Sequence, residues 1–410
     1  MDAGTTGDMI TTAGTGRPTN NYSFLSPRET GVFYVEKSSR VPSKPLFHLF
    51  IPKEFVYLAW MKHFRFYTKE DLLSVTSIRR FETKLGERVP TIEKRTEWQK
   101  VLQRSKANYV LIGIPEDIGV KANYGMGGAD TAWLPFLTAF LNIQSNDFLT
   151  GEEVLLLGHF DFGDIKYLIE NNAYGQEELI DAYRHAVNMI DDEVENLVKL
   201  VTSHQKIPII IGGGHNNAYP LIKGTAKGLY KAGQLEQAQI NVINLDAHAD
   251  FRPTEGRHSG NSFRYAFEDG FLGKYAIIGL HENYVSQNVL LEIHHHPFID
   301  YVSYEDIFIH ERKSFIQAVA HATSFTEDNY AGIEVDLDSI QNVLSSAITP
   351  TGVSLLNARQ FVSFAAQDTR AAYLHISEGA TQLPDGRKNE SMGKLISYLV
   401  SDFIKASSSS

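Results

Sequence analysis

Ile240-Asn241-Val242-Ile243-Asn244-Leu245-Asp246-Ala247-His248-Ala249-Asp250 decides the reading of this chain. Ile240 to Leu245 has the length and apolar content of a buried strand. Asp246, His248 and Asp250 then fall at every second position, and alternate residues of extended chain share one face. Two carboxylates and an imidazole aimed into one small volume repel one another unless a cation joins them. A metal site at the end of a strand is the expectation.

Outward from that stretch, further short apolar runs recur: Tyr109–Ile114, Val154–Leu157, Ile207–Ile211, Tyr275–Leu280, Ala331–Val335 and Ala372–Ser377. Helical or loop stretches separate them. The longest helix expected runs from about Glu178 to Ser203, with Ile180, Tyr183, Val187, Ile190, Val194, Leu197 and Val201 at three- and four-residue steps. Alternating strands and helices with continuously apolar strands imply an α/β fold of three layers, α-β-α, around a central parallel sheet.

Ligands of such sheets bind beyond the carboxyl ends of the strands. Gly212-Gly213-Gly214-His215 follows Ile207–Ile211, and the opening cluster follows Ile240–Leu245. Asp336-Leu337-Asp338 follows Ala331–Val335, and Glu378 follows Ala372–Ser377. Alone, His215 reads as a core or capping histidine, and Asp336 and Asp338 read equally well as helix caps. Four strands delivering an acid or imidazole to one edge outweigh those separate readings. Six ligands, His215, Asp246, His248, Asp250, Asp336 and Asp338, are too many for one tetrahedral zinc. They suit two divalent ions, with manganese favoured by the oxygen-rich set, although the donors do not discriminate against nickel. Two such ions activate a water near neutral pH, so hydrolysis is the natural chemistry.

Composition removes other classes. The 410 residues are 43% hydrophobic and 21% charged, with 38 Lys plus Arg against 49 Asp plus Glu and a net charge of -11. That balance argues against nucleic acid or an anionic membrane as partner. With no cysteine, disulfides, thiolate metal sites and thiol nucleophiles are excluded. No signal sequence or spanning-length apolar run is read, so a cytoplasmic location is expected. Residues 1–30 read as a flexible arm, residues 31–106 as an N-terminal helical extension, and 107–406 as the catalytic domain. The ten Lys/Arg and six Asp/Glu between Lys62 and Lys100 read as a solvated helix face. Gly125, Gly127 and Gly128 lie too far from their strand for a nucleotide fingerprint. His294-His295-His296 reads as a surface loop.

With these motifs assembled, residues 107 to about 400 resemble the arginase/agmatinase/formimidoylglutamase family, the ureohydrolases. The resemblance is carried by Gly-Gly-Gly-His215, Asp246-Ala-His248-Ala-Asp250 and Val335-Asp336-Leu337-Asp338. Ile114-Pro115-Glu116-Asp117-Ile118-Gly119 and Asp161-Phe162-Gly163-Asp164 look like the family's early loops. The resemblance implies one manganese on His215, Asp246, Asp250 and Asp336, a second on His248, Asp246, Asp336 and Asp338, and a homo-oligomer, trimer or hexamer. It also implies that Asp250 relays a proton to the leaving nitrogen and that Glu378 grips the planar amidinium of a small amidino or guanidino substrate.

Departures from arginases proper point to the formimidoylglutamase branch. Gly214 stands where those have Asp, Arg252 where they have Asn, and Phe263 where they have a proton-shuttling His. His258 is the substitute shuttle candidate, with a surface histidine as its plain alternative. Asn261 and Arg252 are candidate substrate contacts; the guanidinium fork suits a substrate carboxylate. The expected reaction is formimidoylglutamate to glutamate plus formamide. Urea release from arginine, agmatine, guanidinobutyrate or guanidine is the alternative within the class, and a non-catalytic scaffold on the same fold is the alternative outside it.

Overall fold

Successive residues of the central strands enter different cores, and this is why their sequences are apolar throughout. The computed structural model describes residues 61–407. The arm expected over 1–30, residues 31–60 of the extension and the last three serines lie outside the described residues. Tyr109 and Leu111 of β2 (Tyr109–Gly113) join one core, Val110 and Ile112 the other. Ile243 and Leu245 of β5 (Ile240–Leu245) alternate with Ile240 and Val242 in the same way. The first core is closed by the helices Trp133–Leu141, Phe315–Thr326, Leu355–Asp368 and Met392–Ser407. The second is closed by Gln176–Ser203, Ala218–Lys231 and Ser262–Glu268. The three-layer α/β architecture expected from the apolar runs is thus present.

The remaining strands are β1 (Phe64–Phe66), β3 (Val154–Phe160), β4 (Ile207–Ile211), β6 (Leu272–Leu280), β7 (Ile299–Ser303), β8 (Tyr330–Asp336) and β9 (Arg370–Ser377). They lie in the order β1-β3-β2-β4-β9-β8-β5-β6-β7. All neighbours pair in parallel except β1, which runs antiparallel to β3.

Three local expectations need correction. β1 falls where only helices were expected, and with the helices Lys69–Val75 and Trp98–Arg104 it belongs to the compact unit that begins at Met61. Phe64, Leu72, Leu85, Trp98 and Leu102 are core residues, so the described part of the extension, 61–106, packs within that unit. β7 was not anticipated, because Asp300 and Tyr301 interrupt its apolar pattern. His294 and His295 form the last turn of the helix Gln287–His295 instead of a loop, and both are exposed.

The helices Gln176–Ser203 and Ala218–Lys231 approach closely because Gly224 and Gly228 face the partner. A methyl at Gly228 would run into Thr202 Oγ1 and lie 2.7 Å from Lys199 O. Among the described residues no helix is long and apolar enough to cross a membrane.

Candidate metal centre

The four strands that end in acids or imidazoles are adjacent: β4, β9, β8 and β5 form the middle of the sheet. His215 begins the short 3-10 turn after β4. Its backbone is pinned from two sides, its N–H donating to Glu378 Oε1 (2.9 Å) and its carbonyl accepting from Ser262 Oγ (2.6 Å), and the next carbonyl, Asn216 O, accepts from Arg257 (2.7 Å). His215 Nδ1 lies 3.0 Å from Asp250 Oδ2, 3.1 Å from Asp336 Oδ2 and 3.2 Å from Asp246 Oδ2. His248 Nδ1 lies 3.2 Å from Asp338 Oδ2 and 3.6 Å from Asp246 Oδ1.

All six sequence-predicted ligands therefore converge. They form two groups able to hold an ion, His215/Asp246/Asp250/Asp336 and Asp246/His248/Asp338. Asp246 belongs to both, with one oxygen toward each. Asp336, expected to bridge as well, stands in the first group, and its Oδ1 accepts the Asp338 N–H (2.8 Å) as Asp246 Oδ1 accepts that of His248 (2.7 Å).

The electrostatics fit a cation. His215 Nδ1 sits among three carboxylate oxygens yet makes no aligned hydrogen bond, and Asp338 Oδ1 is buried without a partner. Unsatisfied buried polar atoms of this kind are costly unless something pairs them. Burial raises the Asp250 carboxyl to about 6, with Asp246 adding to the shift. Asp336 is raised well above the usual carboxylate range by burial and by Asp338 and Asp246. For Asp246 burial is outweighed by His215 and His248, which hold its carboxyl well below the usual range. Burial also acts against the charged forms of His215 and His248, but the surrounding carboxylates win and raise both. A site that must hold protons or imidazolium to offset its own carboxylates is one that two divalent ions would neutralise.

Glu378 stands at the same edge, 5% exposed, its carboxyl pushed up to about 8 by burial and by Asp338 and Asp250 despite the His215 N–H. Its φ of 62° and the 44° of Asp250 place two site carboxylates in left-handed backbone. Non-glycine residues there carry strain, and such strain collects at functional sites.

Two substrate-side expectations fare differently. Arg252 is half exposed, donating to Asn123 Oδ1 (2.7 Å) and Glu255 Oε1 (3.2 Å). Asn261 is fully buried and spends its amide inside the 253–261 loop: Oδ1 accepts from Arg257 and from the His258 N–H, and Nδ2 donates to Gly256 O. It is a loop brace, not a free substrate contact. His258 is likewise corrected. It is buried and not on the surface; Nδ1 accepts the Gly260 N–H (3.1 Å) and Nε2 lies 3.0 Å from Asn261 Nδ2. Burial and the charges of Arg252, Arg184 and Arg257 lower its pKa to about 3. Asp161 and Asp164 pair with Arg65, Lys62 and His63, outside the two groups.

Sequence reading missed the supports. Buried Glu116 accepts from Gly214 N (3.0 Å) and Asn217 Nδ2 (2.7 Å) through Oε1 and from Ile118 N through Oε2, and so braces the triple-glycine turn. Tyr284, after β6, stacks on His248 with ring centroids 5.4 Å apart. Glu334 lies behind His215; an acid inside an otherwise apolar strand was the available signal.

Comparison with known proteins follows the same line. The arginase family model matches residues 107–394. A formimidoylglutamase of Streptococcus gordonii is 27% identical over 235 residues, covering 56% of this chain and 64% of that protein. One from Streptococcus pyogenes is 25% identical over 239 residues, covering 57% and 65%. The match thus spans somewhat less than two thirds of those curated relatives. The solved formimidoylglutamase of Bacillus subtilis superposes with a TM-score of 0.62 at 19% identity, over 82% of this chain and 95% of that one. Trypanosoma cruzi formiminoglutamase with Mn2+ gives 0.59 at 19%, over 79% and 98%. At these identities the superpositions bear on the fold.

Proposed function

Because the chain belongs to the arginase family, we propose that it hydrolyses a C–N bond of a small amidino or guanidino substrate, formimidoylglutamate to glutamate plus formamide fitting best. The observation that carries the reading is the pair of His/Asp groups joined at Asp246 on adjacent strand ends. His215, Asp250 and Asp336 with Asp246 would hold one divalent ion, and His248 and Asp338 with Asp246 the other. Manganese is favoured by the donor set, with nickel as the competitor to exclude. Such ions supply a water deprotonated near neutral pH.

The chain's own residues would do the rest. Glu378, its rotation set by the His215 N–H, offers a carboxylate to the planar amidinium, which orients the carbon as well as binding it. Asp250, at the same edge, passes a proton to the leaving nitrogen. Arg252 faces solvent with a fork suited to a substrate carboxylate, and formimidoylglutamate carries two. The proposal includes a homo-oligomer, trimer or hexamer, in the cytoplasm; light scattering of the purified chain checks the assembly, and a monomer mass rejects it.

The deciding experiment incubates Mn2+-loaded protein with formimidoylglutamate, arginine, agmatine, guanidinobutyrate and guanidine, assaying formamide and urea separately. Formamide from formimidoylglutamate is the expected result. Urea from arginine alone overturns the substrate, and no turnover of any compound overturns the enzyme reading in favour of a scaffold.

A further inference from the structure

Behind the ligand His215 lies a second polar cluster that the proposed hydrolysis does not use. Glu334, in the middle of β8, is completely buried. Its Oε1 accepts from Tyr373 OH (2.6 Å), and its Oε2 lies 2.6 Å from His375 Nδ1. Both partners come from β9, whose register sets Tyr373 beside Gly332 and His375 beside Glu334. Gly332 is required there, because a methyl would collide with the Tyr373 ring that reaches across it. The same Oε2 is 3.4 Å from His215 Nε2, which has no hydrogen-bond partner. Phe263 packs edge-on against the His215 ring, with centroids 5.1 Å apart. The backbone of His215 is already pinned, so ring rotation and tautomer are the freedoms left to it.

A buried carboxylate is a poor stabiliser. Removing it from water is costly, and replacing a whole buried ion pair by uncharged groups of similar volume is often neutral or better. Three donors gathered around one acid therefore call for a purpose other than stability. An imidazole that ligates through one nitrogen needs its proton on the other, and the acceptor facing that proton fixes tautomer and ring angle.

We infer that Glu334, held in place by Tyr373 and His375, is the positioning residue of the metal centre: it takes the Nε2 proton of His215 as a hydrogen bond and so presents the Nδ1 lone pair to the ion shared with Asp246, Asp250 and Asp336. The chain Gly332–Tyr373–Glu334–His215 carries the geometry of two strand interiors to the site. This inference rests on the proposed dinuclear centre, and its test separates the two.

Mn2+ titration of the full chain, followed by electron paramagnetic resonance, counts bound ions and shows whether they are coupled. Wild-type protein is expected to bind two coupled ions. Glu334→Gln should weaken the ion on the His215 side by about 10–100-fold, leaving the single-ion spectrum of the His248 side at intermediate Mn2+, while the metal-free protein melts no lower than wild type. Tyr373→Phe, a milder change that keeps the fold, should weaken the same ion by a smaller factor. Loss of metal without loss of thermal stability is the signature that a merely structural glutamate would not give. If wild type binds two ions and both variants bind them equally tightly, the positioning role is overturned while the metal centre stands. Wild type that binds no Mn2+ overturns both.

Discussion

Buried beneath Arg184, Arg252 and Arg257, the His258 imidazole stays neutral to about pH 3. An unfolded histidine charges near 6.5. The depressed native value means that the contribution of His258 is complete above that pH and is lost as pH falls from about 6.5 toward 3. Between pH 7 and pH 5 the loss is about 2 kcal/mol. His258→Asn should remove that dependence, so urea unfolding at the two pH values should show a smaller drop for the variant. Equal drops would reject the assignment. Arg252 gives the complementary test on the substrate side. Arg252→Ala should raise KM for dicarboxylate substrates by about tenfold or more, the value of one charge-assisted hydrogen bond of about 1.5–3 kcal/mol, and leave KM for free guanidine nearly unchanged. Equal effects on both would remove the argument for a carboxylate contact.

At the scale of elements, the strands that were legible are those buried on both faces, because burial on both sides writes an unbroken apolar run. β1 and β7 escaped for the opposite reason. Each lies at an edge of the sheet, and Phe64-Arg65-Phe66 or Ile299-Asp300-Tyr301 carries polar residues where one side is open. The convergence of the six candidate ligands was legible because each follows a recognisable strand. Glu116, Glu334 and His375 were not, because their partners come from other elements and only the strand order β4-β9-β8-β5 brings them together. Helix packing gives a prediction at this scale. Gly228→Ala should cost about 1–3 kcal/mol by overpacking, since Lys199 O and Thr202 block the added methyl. Thermal unfolding of the two proteins measures it. Thr202→Ala in the same chain should restore part of the loss, because it clears one of the two obstacles.

For the molecule as a whole, the relevant boundary is the one at Met61. A chain of residues 61–410, which keeps every described element, should unfold cooperatively. A chain of 107–410 should not fold, because it strips β1 from β3 and opens the core around Leu72, Leu85, Trp98 and Leu102. Size-exclusion chromatography and melting curves of the two truncations decide this, and a stable 107–410 rejects it. The strand order has a kinetic consequence as well. β9 is the last of the described strands to be synthesised, yet it lies between β4 and β8 and joins two half-sheets made earlier. His215 is carried by one half and the other five candidate ligands, from Asp246 to Asp338, by the other, so a nascent chain can hold them together only after Ser377 has emerged. Pairing of strands so distant in sequence is slow. Until it is complete, the half-sheets present open edges, where unfinished chains meet one another or a chaperone.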